Sequence, residues 1–240
     1  MKKTEVCKLI REIGVVPAVR VSSAEEAYFA ADAVIQGGIP IVEVTMTVPQ
    51  AVDCILELVR HHGKRLVVGA GTVLDIETAK RCIDAGASFL TAPGFEVDIV
   101  EFAAKANLAV LPGALTPSEV VEAWKAGADF VKVFPCELVG GDKYIKALKR
   151  SLPQVPLIAG GGITQHTAAG FILAGAAAIG VGAELIPEDA IQRREAERIR
   201  ELAHRFVGFV KEARDLLGPE KEIGSTVKTE FPKIHRHHPK

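Results

Sequence analysis

Eight short apolar runs, alternating with longer amphipathic ones, predict a single α/β domain closed as a (β/α)8 barrel of the TIM type. Two further observations point the same way. An Ala-Gly-Ala triplet recurs just before strand-like runs, at Ala85-Gly86-Ala87, Ala126-Gly127-Ala128 and Ala174-Gly175-Ala176. The chain has 240 residues, 48% of them hydrophobic, close to the ~250 typical of single barrels. An open doubly wound sheet is the competing arrangement, and eight consecutive strand–helix units favour closure over it.

The elements follow in order. Lys3–Ile13 reads as an extra helix ahead of the first strand, Val15–Val19. Ser22-Ser23-Ala24-Glu25-Glu26 offers two overlapping capping boxes for the next helix, and Gly37-Gly38 ends it. Ile41–Val44 is the second strand; the helix after it ends on His61-His62, where protonated rings would suit the helix dipole. Leu66–Val68, Phe89–Leu90 and Ala109–Leu111 follow as strands three to five, trailed by Gly69-Ala70-Gly71, Pro93-Gly94 and Pro112-Gly113. Thr116-Pro117-Ser118-Glu119 supplies a cap, a first-turn proline and a glutamate at the third helical position. Phe130–Phe134, Leu157–Ala159 and Ala177–Val181 complete the eight strands. Several runs lack polar alternation, as expected of parallel strands covered on both faces. A last helix is expected from about Pro187 to Leu217, stopped by Gly218-Pro219. The reading is thus a barrel domain over 1–217 and a loosely ordered polar tail over 218–240. His235, His237 and His238 in that tail read as solvated side chains rather than metal ligands.

Composition excludes several functions. Lys plus Arg number 29 and Asp plus Glu 30, a net charge of -1, so no basic surface awaits nucleic acid. Aromatic content of 5% leaves little for base stacking. No apolar stretch reaches the ~20 residues that span a bilayer, and Met1–Glu5 does not open a signal peptide. Cys7, Cys54, Cys82 and Cys136 are scattered without a Cys-x-x-Cys pair, which suits reduced thiols in the cytoplasm. No metal-ligand or cofactor motif is present in the sequence pattern.

The chemistry is expected at the C-terminal ends of the strands, where the glycines crowd. Lys132 lies inside Phe130-Val131-Lys132-Val133-Phe134-Pro135. Alternation puts Phe130, Lys132 and Phe134 on one face and the two valines on the other, so Lys132 should point into the barrel. Desolvation disfavours an ammonium, and a neutral amine is the nucleophile that condenses with a ketone. Glu43, in Ile41-Val42-Glu43-Val44-Thr45, should face inward from the second strand. Strands two and six lie on opposite sides of an eight-stranded barrel, so the two side chains can meet near its axis. A carboxylate there can move the protons that a carbon–carbon bond cleavage requires. A structural ion pair is the plainer alternative, although desolvation makes buried pairs weak stabilisers. Two other functions remain open on these residues: a sugar-phosphate isomerase without a covalent intermediate, and a non-catalytic barrel used for binding or assembly.

Taken together, Val42-Glu43-Val44-Thr45, Gly69-Ala70-Gly71-Thr72, Ala92-Pro93-Gly94, Leu111-Pro112-Gly113, Val131-Lys132-Val133-Phe134-Pro135 and Gly161-Gly162-Ile163 resemble the bacterial 2-dehydro-3-deoxy-phosphogluconate aldolase and 4-hydroxy-2-oxoglutarate aldolase family, in the family's order, over roughly residues 10 to 210. The resemblance implies a metal-independent class I aldolase, usually a homotrimer, that cleaves a 2-oxo acid to pyruvate and an aldehyde. It implies Lys132 as the Schiff-base lysine and Glu43 as the general acid and base. Thr72 matches a threonine that holds the pyruvate carboxylate, and Pro93 and Phe134 match residues lining the pocket. Gly161, Gly162, Gly182 and Ala183 follow strands seven and eight, where many barrels bind phosphate through backbone N–H groups. Three positions depart from the family pattern. Thr47 stands where many members have a carboxylate-binding arginine, so Arg20, or Thr47 and Thr72, must take that role. Gly160 stands in place of a threonine. Ala183 stands in place of a serine that contacts phosphate. Arg20 can hold a carboxylate in a bidentate contact, and reads equally well as an ordinary surface residue.

Overall fold

Every strand pairing is parallel, and the sheet curls until its two edges belong to one segment of chain. The computed structural model describes residues 1–218; apart from Gly218, the expected tail lies outside the described residues, as do His235, His237 and His238. The strands are β1 (Val15–Val19), β2 (Ile41–Thr45), β3 (Val67–Gly71), β4 (Phe89–Thr91), β5 (Ala109–Leu111), β6 (Gly113–Ala114), β7 (Val131–Val133), β8 (Leu157–Gly160) and β9 (Ala178–Val181). Their order is β5-β4-β3-β2-β1-β9-β8-β7-β6. The edge strands β5 and β6 are separated only by Pro112. Proline has no N–H to give a ladder, so β5 ends before it, with the expected bounds, and the short β6 follows as an additional strand. β5 pairs with β4, and β6 with β7. The Pro112 carbonyl still accepts from the Lys132 N–H at 2.8 Å. Eight strand positions therefore surround the core, and β7 occupies the sixth.

The helices are α1 (Lys3–Ile13), α2 (Ala24–Gln36), α3 (Ala51–His62), α4 (Ile76–Asp84), α5 (Val97–Lys105), α6 (Pro117–Lys125), α7 (Asp142–Ser151), α8 (Ala168–Leu173), α9 (Glu188–Gln192) and α10 (Ala196–Leu217). The Thr116 capping box at α6 forms as expected. At α2 the Ser23 hydroxyl caps the Glu26 N–H, while the Glu26 carboxylate accepts from the N–H and hydroxyl of Ser22. Gly38, Gly86, Gly127 and Gly175 take φ between 93° and 104°, turning four helices back toward the sheet.

Three expectations need correction. The third strand runs two glycines further than its apolar residues, because Gly69 and Gly71 stay extended and make room for side chains of neighbouring strands. The final helix is two helices, broken where Arg194 takes φ 55°. Arg194 pairs there with Glu25 and lies over the Phe29 ring, which ties the break to α2. His62 is not a solvated dipole partner. It is buried, and burial pushes its imidazole pKa down, against the opposing pull of Asp32.

Candidate active site

Glu43 and Lys132 meet inside the barrel. Glu43 projects from β2 and Lys132 from β7, with Lys132 Nζ 3.5 Å from Glu43 Oε2. The side chains are 4% and 14% exposed respectively, so the pair is shielded but the amine keeps an opening to solvent. The Phe134 ring flanks Nζ at 5.6 Å from its centroid. Val131 and Val133 are fully buried on the other face, as alternation requires.

On the strands next to Glu43 and next to Lys132, missing side chains shape the cavity. A Cβ on Gly71 would lie 2.1 Å from Glu43 Oε1, so the carboxylate can lie flat against β3 only because residue 71 is glycine. A Cβ on Gly160 would come within 3.0 Å of Lys132 Cε. Glycine at 160, where the family pattern has threonine, therefore leaves the lysine stem more room.

The loops at the ends of β1 to β3 form one wall. The Thr45 hydroxyl donates to the Val19 carbonyl at 3.2 Å and contacts the Thr47 hydroxyl at 2.6 Å. Either hydroxyl can be the donor in the second contact, which ties Thr47 to Thr45 on this wall. Arg20, the residue after Val19, is exposed and makes no ion pair among the described residues. Thr72 follows β3 with φ 59°, a left-handed conformation that costs a non-glycine residue roughly 1–2 kcal/mol. Such strain, held by surrounding structure, is frequent at functional sites. Pro93 is exposed at the end of β4, and its carbonyl sits where a Cβ of Gly113 would be.

The far end of the site lies beyond β8 and β9. Gly161 and Gly162 take φ 84° and 82°, and Ala183 is exposed. The amides of Leu185 and Ile186 both donate to the Gly182 carbonyl, so they do not face a ligand. A cleft of about 450 Å³ adjoins Ala183, with Glu184, Arg198 and Arg205 in its walls.

Two polar residues here escaped the sequence reading. The Glu137 carboxylate overlies Gly162, 2.6 Å from where a Cβ would stand, placing negative charge beside the glycine segment. Thr91 Oγ1 is buried without a hydrogen-bond partner. Alternation from Phe89, whose ring fills the space above Gly69, turns Thr91 inward as well. No local pattern announces either residue; both depend on which strands become neighbours. Cys136 behaves as the small filler its position suggests. Its thiol donates to the Gly141 carbonyl, and burial pushes its pKa up to about 12, far from a working nucleophile.

The family model described as KDPG and KHG aldolase matches residues 6–202. The 2-dehydro-3-deoxy-6-phosphogalactonate aldolase of Escherichia coli (strain K12) is 32% identical over 192 residues, 80% of this chain and 90% of that protein. The KHG/KDPG aldolase of the same strain is 32% identical over 210 residues, 87% of this chain and 98% of that one. A crystal structure of KDPG aldolase from Legionella pneumophila, with pyruvate captured as a covalent carbinolamine intermediate, superposes with a TM-score of 0.77. It is 29% identical and covers 82% of this chain and 96% of its own.

Proposed function

We infer the chemistry from one premise: this chain belongs to the KDPG and KHG aldolase family and is a carbon–carbon lyase of the Schiff-base class. Lys132 attacks the ketone of a 2-oxo acid, loses water and becomes an iminium. The iminium withdraws electrons from the bond between the third and fourth carbons. Glu43 takes the proton from the fourth-carbon hydroxyl as that bond breaks, the aldehyde leaves, the enamine is reprotonated at its third carbon to the pyruvate iminium, and water hydrolyses that iminium to release pyruvate and free Lys132. The observation that carries this reading is the partly buried amine 3.5 Å from a buried carboxylate in a barrel interior otherwise dominated by apolar side chains. The covalent carbinolamine captured in the Legionella pneumophila relative supports it.

Arg20 and Thr72 hold the carboxylate of the 2-oxo acid in this proposal. Thr47, bonded to Thr45 after β2, supplements them. Pro93 and Phe134 line the pocket. Gly161, Gly162, Gly182 and Ala183 face the far end of the substrate, where backbone N–H groups can receive a phosphate. Without a serine at 183, and with Glu137 beside Gly162, phosphate helps binding but is not indispensable. The substrates are therefore 2-dehydro-3-deoxy-6-phosphogluconate and 4-hydroxy-2-oxoglutarate.

We also propose a homotrimer in the cytoplasm. Leu74, Val97, Leu138 and Val139 are exposed apolar residues beyond β3, β4 and β7, available for contact between copies. The four cysteines are free thiols, and among the described residues no helix is long and apolar enough to cross a membrane.

Pyruvate with borohydride tests the central step. One adduct per chain, mapped to Lys132 by mass spectrometry and formed in the presence of EDTA, is the expected result. An adduct elsewhere, or turnover that EDTA abolishes and a divalent ion restores, refutes it.

A further inference from the structure

We propose that Asp32, His61 and His62 form a binding site for a divalent transition-metal ion of the Zn2+ class, at the opposite end of the barrel from Lys132. Asp32 lies on α2, and the two histidines are the last residues of α3, where the chain turns toward the start of β3. One ligand atom from each lies within 4.8 Å of the others. His62 Nε2 and Asp32 Oδ1 are 3.2 Å apart. Two donors bound at ~2.0–2.1 Å to one tetrahedral ion stand about 3.3 Å apart, so this pair already has the right separation.

Proximity alone would not make a site. The second observation is the condition of His62. Its side chain is 4% exposed, yet Nε2 has no hydrogen-bond partner. Asp32 Oδ1 is close enough to accept, but it lies off the N–H direction. Buried ring nitrogens are nearly always paired, and an unpaired one requires an explanation. An ion lying between the imidazole lone pair and the carboxylate provides one, and it accounts for the off-axis oxygen too.

The surroundings favour a cation in part. The carbonyl end of α3 carries partial negative charge. Arg65 opposes a cation, since its charge acts on His62. His61 stands edge-on to His62, with ring centroids 4.8 Å apart, and approaches from the solvent side. Three protein ligands with water in the fourth position give a common open coordination. The ion would clamp α2 to α3 and stabilise the fold without taking part in turnover.

Zn2+ titrated calorimetrically into the full chain carrying His235→Ala, His237→Ala and His238→Ala tests this, because the terminal histidines then contribute nothing. One ion per chain and a Tm that rises with Zn2+ are expected. Asp32→Asn and His62→Gln should each weaken the Kd at least about tenfold and leave aldolase turnover unchanged. If His62→Gln does not fold, His61→Ala at an exposed position gives the same reading. Absence of binding in the tail-substituted chain, or binding undiminished by Asp32→Asn and His61→Ala, overturns the proposal. Pyruvate trapping at Lys132 succeeds or fails independently of this result.

Discussion

Where the strands begin, long cationic side chains are held by two or three backbone carbonyls each. The Arg214 guanidinium on α10 donates to the carbonyls of Glu12 at 2.7 Å, Arg11, and Ala177 at 3.1 Å. Lys149 Nζ donates to Pro153 at 2.7 Å and Val155 at 2.9 Å. Where the strands end, Lys132 meets one carboxylate at 3.5 Å and the face of Phe134. Both lysines are partly buried, and burial pushes the Lys149 pKa down. What separates them is the unused bonding capacity of Lys132, together with its partial opening to solvent. Burial alone does not make a reactive lysine. An amine becomes a candidate nucleophile when its neighbours leave it a place for a substrate.

The comparison breaks most decisively at the lysines themselves. Lys132→Met should remove nearly all aldolase activity and the pyruvate–borohydride adduct. Lys149→Met should leave the adduct at Lys132 intact. An adduct on Lys149 in the wild type would mean that burial, rather than position, selects the nucleophile.

Glu43→Gln is the next largest change. It preserves shape against Gly71 but removes the proton acceptor. Activity should fall ~10²–10⁴-fold, the usual worth of a positioned acid or base. The pyruvate adduct should still form, more slowly, because Lys132 remains. Single-turnover kinetics separate the two steps. Normal turnover in Glu43→Gln would reduce the pair to a structural contact.

At the other end, Arg214→Ala should act on stability alone. Charged hydrogen bonds contribute roughly 1.5–3 kcal/mol each at most, and Arg214 is half-buried, so a loss of about 2 kcal/mol is expected. Chemical denaturation reads this directly. Turnover per folded molecule should be unchanged, since the Arg11, Glu12 and Ala177 carbonyls lie at the base of the barrel. A fall in kcat at full folding would show that the two ends are coupled.

The strand–helix alternation, the extra first helix and the inward direction of Glu43 and Lys132 were legible because each rests on local periodicity. Lost to that reading were features created by neighbours brought together from afar. A further short strand, β6, follows Pro112, and nothing in Ala109–Leu111 marks where pairing passes from β4 to β7. The helix break at Arg194 depends on its contacts with Glu25 and Phe29, some 165 residues earlier. The contact of Thr47 with Thr45, itself bonded to the Val19 carbonyl, links the loop after β2 to β1 and has no local signal. His62 looked exposed at a helix end and is buried against α2. Glycines were visible as glycines, but only the fold reveals that Gly71 accommodates Glu43.

The smallest expected effect lies at the far end of the cleft, in Ala183→Ser. The backbone N–H groups around Gly161, Gly162, Gly182 and Ala183 form the proposed phosphate site, and a serine would add one hydroxyl donor to it. A neutral hydrogen bond contributes ~0.5–1.5 kcal/mol net. At ~1.4 kcal/mol per factor of ten, the gain for a phosphorylated substrate should reach about tenfold at most. Glu137 works against it, because its carboxylate overlies Gly162 and repels the phosphate. The measurement is kcat/KM for 2-dehydro-3-deoxy-6-phosphogluconate and for 4-hydroxy-2-oxoglutarate, in wild type and in Ala183→Ser. The first value should rise and the second should stay constant, since only the first substrate carries a phosphate to receive the hydroxyl. Equal gains for both would assign the serine to general tightening of the loop after β9. No gain for either would move the phosphate site away from Ala183, leaving the Lys132–Glu43 chemistry untouched.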